Sequence, residues 1–322
     1  MSDRVIVVGG GLAGLIAAGR LRDAGRDVVV VDKGRRPGGR ANTREHDVHR
    51  FDHGAQFFTV RDPRVEPMLR DWIHTGLVAP WDGRLVRIHA DAIDPAKPAT
   101  RYVGVPGMVD LALALASSLD VRTGIRIEQL SRSEDGWWAV DSDGEAQGPF
   151  DDVVVAVPAP QAIPLLSEAP HLRSMAASVD MAPCWAAMLV FDQPAPLDFD
   201  GAFVSDGPIS WIARNSSKPE RPDTEAWVLH ATPEWTRRHW NTDRAEVPAL
   251  LLREAEDRWG PMPNVHFGRA HRWGYALADP GMPPGSLYDP DLRLGVCGDW
   301  CVGGRVEGAI VSGIEIADLL GC

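Results

Sequence analysis

Lysine is the residue that this 322-residue sequence most conspicuously lacks: only Lys33, Lys97 and Lys218 stand among 33 basic residues. Nearly every positive charge is therefore a guanidinium, which suits bidentate contacts to phosphate and carboxylate, although genome composition explains such a bias equally well. Acidic residues number 45, so the formal charge is -12. This balance argues against a protein whose main task is to bind nucleic-acid phosphates.

Cysteine and long apolar runs are also scarce. The four cysteines (Cys184, Cys297, Cys301 and Cys322) are too few and too late in the chain for a disulfide framework, and their spacing is not that of a metal site. We therefore expect a reducing, cytoplasmic location and no bound metal. The N-terminus lacks the pattern of a signal peptide, and no run of about 18 apolar residues predicts a membrane-spanning helix.

The order of the predicted elements indicates an α/β protein. Apolar runs at 5–8 and 27–31 are typical of buried parallel strands, and the pattern over 12–24 between them is helical. Further strands are predicted at 124–130, 136–141, 151–157 and 292–297, and a last helix at 305–320. The return of the opening strand-and-helix style at the C-terminus predicts a discontinuous first domain with a second, tryptophan-rich domain inserted.

The strongest motif is Gly9-Gly10-Gly11-Leu12-Ala13-Gly14, a GxGxxG loop between the first strand and the first helix. Gly9 permits the tight turn, Gly11 lets a diphosphate approach the backbone, and Gly14 allows close packing of the helix on the sheet. The next strand ends at Asp32, whose carboxylate can accept hydrogen bonds from ribose hydroxyls. We predict that this loop, Asp32 and Lys33 bind a dinucleotide; the motif alone leaves FAD and NAD open.

Three later stretches resemble the flavin-containing amine oxidase superfamily: Pro37-Gly38-Gly39-Arg40, Gly54-Ala55-Gln56-Phe57, and the C-terminal turn Gly298-Asp299-Trp300 with its following helix. The resemblance implies that Gly39 and Arg40 lie on the FAD diphosphate and that the segment with Gln56 and Phe57 passes the ribityl chain and isoalloxazine.

Three further contacts to FAD are implied by the same resemblance. Asp299 is expected to bind the ribityl-phosphate region, and the backbone of Ile127 to contact adenine. The N–H of Val306 is expected to face the flavin pyrimidine, where a helix N-terminus stabilises the negative charge of the reduced ring.

The superfamily architecture has two interleaved domains. We expect a Rossmann-like FAD-binding domain, a parallel sheet with antiparallel additions, over residues 1–61, 101–157 and 266–322. A mixed α+β substrate-binding domain is expected over residues 62–100 and 158–265.

Within the superfamily the whole chain most resembles the renalase family. The similar stretches lie at 52–58, 104–108, 153–158, 211–219 and 271–273. The resemblance implies oxidation of the 2- and 6-dihydro isomers of NAD(P)H by hydride transfer to flavin N5. Reoxidation by O2 then gives NAD(P)+ and H2O2.

The sequence departs from true amine oxidases at the expected flavin site. Arg305 stands where those enzymes usually carry an aromatic residue, so an amine cation would meet a like charge. None of the three lysines lies in the segment from which a lysine holds a water near flavin N5. Cys301 does not match a covalently linked cysteine, so we predict non-covalent FAD.

A dihydronicotinamide is already a hydride donor, so we expect no general base and no certain catalytic side chain. The candidate pocket residues are Trp211, Asn215, His230, Trp273 and Arg305. Asn215 is the candidate partner of the carboxamide, and Arg305 is expected near the ring. Structural roles compete with each assignment, because dense tryptophans are usually core residues and His230 lies on an apolar strand.

Two alternatives stay open beside this interpretation. One is an amine- or polyol-type flavin oxidase with another small donor, and the other is a non-catalytic flavin-binding module. The expected partners are a small dinucleotide substrate and O2, without nucleic acid or membrane. The preference between NAD and NADP and the oligomeric state stay open, and a monomer is compatible with the sequence.

Overall fold

The structure is a computed structural model that describes residues 3–90, 92–278 and 285–322. Its helices are α1 (Leu12–Asp23), α2 (Glu66–His74), α3 (Met108–Ala116), α4 (Ala159–Ala162), α5 (Pro170–Ala177), α6 (Pro233–Arg238), α7 (Val247–Trp259) and α8 (Val306–Leu319).

The strands of the N-terminal half are β1 (Arg4–Val8), β2 (Asp27–Asp32), β3 (Thr43–His46), β4 (His49–Asp52), β5 (Val78–Pro80), β6 (Leu85–His89), β7 (Ala92–Pro95), β8 (Tyr102–Gly104), β9 (Asp120–Thr123), β10 (Ile127–Ser133), β11 (Gly136–Asp141), β12 (Ala146–Phe150) and β13 (Asp152–Val155). Those of the C-terminal half are β14 (Met181–Phe191), β15 (Gly201–Val204), β16 (Ile209–Arg214), β17 (Ala226–Ala231), β18 (Val265–Ala278), β19 (Leu287–Asp289) and β20 (Leu294–Val296).

A six-stranded sheet of order β19-β20-β13-β1-β2-β9 forms the Rossmann-like part of the α/β fold, and all but β19 run parallel. The central strand β1 is apolar throughout its buried part because both faces of the sheet are covered. Val5 and Val7 pack with α1 and α8 on one face. Ile6 and Val8 pack on the other face against Trp137 of the separate β10-β11-β12 sheet.

A second large sheet has seven strands in the order β18-β14-β17-β16-β15-β6-β7. Its pairs are antiparallel except β15 with β6, which run parallel. Helices α6 and α7 cover one face, where Trp185, Trp227 and Trp235 are buried together with Leu251. The tryptophan-rich composition of this region therefore reflects a packed core.

The predicted domain boundary at residue 266 differs from the strand pairing. It assigns most of β18 to the FAD-binding domain, whereas β18 pairs with β14 from Met181 opposite Ala278 to Phe191 opposite Val265. The local sequence of β18 does not show which sheet it joins, because that choice depends on a partner strand about eighty residues earlier. The other boundaries stay a prediction.

In the part of the chain that the structure describes, no helix combines the length and the apolar composition that crossing a bilayer requires.

Candidate functional site

The glycine loop after β1 is closed towards the sheet. Gly9 has a φ of +119°, a conformation that side chains rarely adopt. A Cβ on Gly14 would clash with the carbonyl oxygen of Gly9, so α1 can start this close to β1 only with glycine at that position. The loop therefore holds the N-terminus of α1 directly against the ends of the central strands.

The same loop is open on its other side. Gly11 is the N-cap of α1, and a Cβ built on it would meet no atom within 4 Å. Leu12 and Ala13 are the first two residues of α1, and their side chains are buried. A Cβ on Gly39 would have only the Cα of Gly11 beside it, at 3.5 Å. Space thus lies over the first N–H groups of α1, where a helix terminus favours an anion.

Asp32 ends β2 beside this space. Its carboxylate oxygens accept hydrogen bonds from the N–H groups of Gly10 and Gly34, each at 2.6 Å. Each oxygen keeps a further lone pair, which leaves acceptor capacity for ribose hydroxyls. The backbone N–H of Ile125 donates to the carbonyl oxygen of Asp32 at 3.0 Å, which brings the chain before Ile127 to the end of β2.

Two more predicted cofactor residues differ in their exposure. Ile127 starts β10 and is buried in the core beside the ends of the parallel strands. Lys33 is exposed, and its Nζ donates to Oε1 of Gln161 at 2.9 Å.

Arg40 joins several of the predicted segments. Its guanidinium forms two hydrogen bonds with the carboxylate of Asp299, including Nη1 to Oδ2 at 2.9 Å, and Nη1 also reaches the carbonyl oxygen of Ala276 at 3.3 Å. The carbonyl oxygen of Arg40 packs against Gly54, where a Cβ would also lie 3.2 Å from the indole ring of Trp273. The glycine-rich, Gln56-containing and C-terminal motifs therefore meet at Arg40, through its backbone carbonyl and its guanidinium.

Helix α8 starts at the same place. Arg305 is its exposed N-cap, and Val306 is its half-buried first residue. The buried carboxylate of Glu307 accepts from the backbone N–H groups of Arg61 and Asp62, the latter at 2.8 Å. These contacts anchor the loop after Phe57 to the first turn of the helix, whose leading N–H groups have no acceptor within the helix.

An aromatic cluster adjoins the segment that contains Gln56. The ring centroid of Phe57 lies 5.6 Å from that of Trp211, and Phe203 lies 4.6 Å from Trp211. Trp81 completes the cluster at 6.4 Å from Trp211. The indole N–H of Trp211 is buried without a hydrogen-bond partner among the described residues.

Histidine and tryptophan side chains converge on the backbone of His53. The carbonyl oxygen of His53 lies 2.8 Å from Nε1 of Trp273 and 3.2 Å from Nε2 of His230. A carbonyl only accepts, so Nε2 of His230 carries the proton. Burial lowers the pKa of His53 to about 3 and that of His230 to about 4, so both rings are neutral at neutral pH.

Asn215 lies in a buried polar network rather than at an open surface. Its Oδ1 accepts from Nζ of Lys218 at 3.0 Å and from the N–H of Asp52 at 3.2 Å, and its Nδ2 donates to the carbonyl oxygen of Arg50 at 2.6 Å. Both polar atoms of the amide thus have protein partners, which gives no geometric support to the predicted carboxamide contact.

Sequence reasoning missed the ion cluster formed by Asp52, Lys218 and Arg221. Nζ of Lys218 lies 3.0 Å from Oδ2 of Asp52, and Nη2 of Arg221 lies 2.8 Å from the same oxygen, with all three side chains fully buried. Burial lowers the pKa of Lys218 to about 8. Although burial raises the pKa of Asp52, the charges of Lys218 and Arg221 together lower it well below its usual range.

This cluster also engages Gln56. Oε1 of Gln56 accepts from Nζ of Lys218 at 3.1 Å, and its Nε2 donates to the carbonyl oxygen of Asp52. The sequence signals for the cluster were the positions of Asp52 and Lys218 inside the 52–58 and 211–219 stretches. Nothing in either stretch foretells the burial of a lysine.

The residues around the glycine loop fit a flavin dinucleotide. The loop leaves room for a diphosphate over a helix N-terminus, Asp32 offers acceptors for a ribose, and Arg40 adds a guanidinium. A second helix N-terminus, that of α8, is tied to Arg40 through Asp299: the N–H of Gly304 donates to the carbonyl oxygen of Asp299 at 2.8 Å, and the carboxylate of Asp299 pairs with Arg40.

Two protein-family models match the chain. Residues 7–72 match an NAD(P)-binding Rossmann-like domain, and residues 99–320 match flavin containing amine oxidoreductase. The first range contains the glycine loop and Arg40, and the second contains Asp299 and the start of α8.

Curated relatives match either over the whole chain or over about a fifth of it. Renalase from Mus musculus is 23% identical over 347 residues, covering 99% of this chain and 98% of that protein. Carotenoid 3,4-desaturase from Haloarcula japonica is 48% identical over 60 residues, which cover 19% of this chain and only 12% of the desaturase.

Solved structures share the fold at low identity. Cyclohexylamine oxidase from Brevibacterium oxydans superposes with a TM-score of 0.77 at 13% identity, covering 99% of both chains. A putrescine oxidase bound to putrescine gives a TM-score of 0.74 at 14% identity, covering 100% of both chains. These structures show that the chain has the two-part amine oxidase fold.

Proposed function

The chain belongs to the flavin-containing amine oxidoreductase family, and from that premise we propose that it is an FAD-dependent oxidase of renalase type. Its substrates in this proposal are the 2- and 6-dihydro isomers of NAD(P)H, and its products are NAD(P)+ and H2O2. The likeness to mouse renalase over 99% of the chain supports this choice within the family. The site of action is the cytoplasm in this proposal.

FAD is the proposed cofactor. The loop from Gly9 to Gly14 would hold its diphosphate, Asp32 its adenosine ribose, and the backbone at Ile127 its adenine. In this arrangement Arg40 lies on the diphosphate and Asp299 on the ribityl-phosphate region. The first N–H groups of α8 would meet the pyrimidine end. When bound, FAD supplies the hydride acceptor and passes the electrons to dioxygen.

Non-covalent attachment is supported by the state of the nearby thiols. Cys297 and Cys301 are buried, and burial raises the pKa of Cys297 to about 12 and that of Cys301 well above its usual value. A thiolate, the nucleophilic form, is therefore disfavoured at both positions. Acid precipitation should release all yellow chromophore into the supernatant, and chromophore that stays with the pellet would contradict this part of the proposal.

The observation that carries the choice of substrate is the exposed guanidinium at the N-cap of α8. Arg305 lies directly before the helix N-terminus that is proposed to face the flavin. Two positive potentials, from the side chain and from the helix, repel an amine cation and attract an anionic dinucleotide.

The proposed role of the remaining side chains is to place the substrate and exclude water. A dihydronicotinamide becomes aromatic when it loses a hydride, so no side chain has to remove a proton, which agrees with the neutral state of His53 and His230. Trp273 and the Trp211 cluster provide apolar surface next to the segment 54–57. The unpartnered indole N–H of Trp211 offers a donor to a ligand oxygen.

An anaerobic titration of the holoenzyme tests the proposal. The isomer mixture from borohydride-reduced NAD+ should bleach the flavin absorbance within seconds, and admitting air should restore it with formation of H2O2. Ordinary 4-dihydro NADH should act far more slowly. Bleaching by amines alone would support an amine oxidase instead, and no bleaching by any donor would support a non-catalytic flavin-binding module.

A further inference from the structure

One face of the edge strand β18 carries a row of side chains that starts at the candidate site. Alternate residues of a strand share a face, so Arg269, His271 and Trp273 point to the same side. Trp273 donates its indole N–H to the carbonyl oxygen of His53 at 2.8 Å, and the ring of His271 lies 5.0 Å from that of His53. The row therefore begins next to the segment 53–57 and extends along β18 to Arg269.

Strand β3 lies against this face of β18. The ring of His46 stacks on that of Phe267 at 3.9 Å between centroids, two residues before Arg269. Arg44 lies two residues before His46 and so shares its face of β3. Because Phe267 and Arg269 also share a face, Arg44 is placed beside the row between Arg269 and His271.

The electrostatic environment of these side chains agrees with that placement. Burial, followed by the charges of Arg269, Arg244 and Arg36, lowers the pKa of Arg44. Burial, followed by the charges of Arg44, Arg244 and Arg269, lowers the pKa of His271 to about 4. Arg44, Arg244 and Arg269 thus form one group, which we call the arginine trio.

The arginine trio lacks counter-charges. Among the described residues, none of the three side chains forms an ion pair or a hydrogen bond, and Nε of Arg44 is buried without a partner. Glu45, the chain neighbour of Arg44, pairs with Arg50 at 3.3 Å. Three uncompensated guanidinium groups in a protein with a formal charge of -12 indicate a site for an anion.

We propose that the arginine trio binds the diphosphate of the dinucleotide substrate, while the nicotinamide end lies at Trp273. This inference rests on the proposed function. The Cα atoms of Trp273 and Arg269 are about 13 Å apart along the strand, a span that a ribose and an arginine side chain bridge together. The diphosphate of FAD is assigned to a different place, the glycine loop at the N-terminus of α1.

Two exposed members of the trio offer variants that spare the core. Arg244 and Arg269 are exposed, so Arg244→Gln and Arg269→Gln remove charge without leaving a buried cavity. Arg173→Gln, at an exposed position of α5, removes the same charge outside the trio and is the matched control. Flavin absorbance and thermal unfolding of each holoenzyme confirm that the variants fold and keep the cofactor.

The first measurement needs no turnover. ADP-ribose has the diphosphate and no nicotinamide, and its binding to the holoenzyme is followed by calorimetry. We expect each of the two trio variants to weaken this binding at least ten-fold and Arg173→Gln to change it less than two-fold. Equal binding by wild type and trio variants, or no binding by the wild type, would overturn the proposal.

The second measurement compares substrates with and without phosphate. The ratio of kcat/KM for the dihydro-NAD isomers to kcat/KM for the corresponding dihydronicotinamide riboside isomers should fall at least ten-fold in both trio variants. An unchanged ratio would overturn the proposal.

The measurements distinguish failure of the proposed function from failure of the proposed diphosphate site. If no dihydro isomer bleaches the flavin but ADP-ribose binding still depends on the trio, the proposed function is wrong and the anion site stands. If the isomers bleach the flavin but ADP-ribose binds independently of the trio, the proposed function stands and the diphosphate site is wrong.

Discussion

At the scale of single residues, Arg40 does more than contact one ligand group. Its guanidinium pairs with Asp299 and reaches the backbone of β18, while its carbonyl oxygen packs on Gly54. A planar fork of donors is needed to satisfy the carboxylate bidentately, and lysine offers only a point charge. The motifs around the cofactor site therefore depend on the geometry of this side chain as well as on its charge.

Arg40→Lys should lower the affinity of the protein for FAD at least ten-fold, because the bidentate pair with Asp299 is lost and the surrounding segments lose their common anchor. The measurement is the dissociation constant of FAD, followed by flavin fluorescence during dilution. Arg132→Lys is the control, since Arg132 is remote and its Nη1 donates to the carbonyl oxygen of Asp291. Equal affinities of the two variants would contradict the role given to Arg40.

Asp52 has an equally specific role. Its carboxylate accepts from Lys218 and Arg221 and also from the hydroxyl of Thr43 and the N–H of Met108. Removing a partner from a buried ion pair leaves uncompensated charge, which costs several kcal/mol.

Asp52→Asn should therefore lower the free energy of unfolding by about 3 kcal/mol or more. Urea titration followed by fluorescence measures this difference. Asp223→Asn makes the same chemical change at an exposed position two residues after Arg221. It should change the free energy of unfolding by less than about 0.5 kcal/mol. A cost for Asp52→Asn as small as that of the control would mean that the cluster does not stabilise the fold.

At the scale of elements, the crossing of α1 and α8 sets the geometry of the site. Both helices direct their N-termini at it, and they touch where Gly313 of α8 packs on α1. A Cβ on Gly313 would lie 2.5 Å from the carbonyl oxygen of Ala13 and 2.9 Å from Cβ of Ile16. This contact, which leaves no room for a side chain at position 313, fixes the positions of the two helix N-termini relative to each other.

A pair of matched substitutions tests this contact. Gly313→Ala should force the helices apart, destabilise the protein by about 1–3 kcal/mol and weaken FAD binding. Gly19→Ala, within α1, meets no atom within 4 Å and should stabilise the protein by about 0.5–1 kcal/mol through helix propensity. Thermal unfolding of both holoenzymes provides the comparison, and stabilisation by both substitutions would contradict a close crossing.

The elements differ in how far local sequence predicts them. The helix predicted over 12–24 is α1 at Leu12–Asp23, and that over 305–320 is α8 at Val306–Leu319, because both have continuous apolar faces and glycine punctuation. The strand predicted over 124–130 starts later, at Ile127, because the N–H groups of Gly124 and Ile125 donate to Gly34 and to Asp32 at the end of β2. Such a pairing across ninety residues leaves no local pattern.

The site shows the same division. Asp32 lies beside the glycine loop and Arg40 pairs with Asp299, so segments that carry recognisable motifs are neighbours in the structure. That these residues bind FAD stays a prediction. The burial of Lys218 and the neighbourhood of Arg44 and Arg269 arise from contacts between distant strands. The neighbouring sequence of these residues does not predict such contacts.

At the scale of the whole molecule, stability should depend on pH through the buried histidines. The pKa of His53 is lowered by burial to about 3 and that of His230 to about 4, below about 6.5 for an unfolded histidine. Between these values the unfolded chain binds more protons than the folded one, so stability is complete above pH 6.5 and falls as the pH drops towards 4.

We expect each of these histidines to remove up to about 1.4 kcal/mol per pH unit in that window. Urea unfolding at pH 7, 6 and 5 measures the slope. His53→Gln should flatten the slope, whereas His171→Gln, at an exposed position, should leave it unchanged. A slope that does not respond to His53→Gln would show that this ring is not buried in its neutral form.

We propose that the chain combines a flavin site of the amine oxidase family with a substrate site for isomeric dihydronicotinamide dinucleotides. Stopped-flow reduction of the holoenzyme flavin under anaerobic conditions tests this most directly. We predict that purified 6-dihydro-NAD reduces the flavin with a second-order rate constant at least a thousand-fold above those of 4-dihydro NADH and of a primary amine, which corresponds to about 4 kcal/mol of discrimination. Reduction by the amine at a rate equal to or above that of 6-dihydro-NAD would contradict the claim.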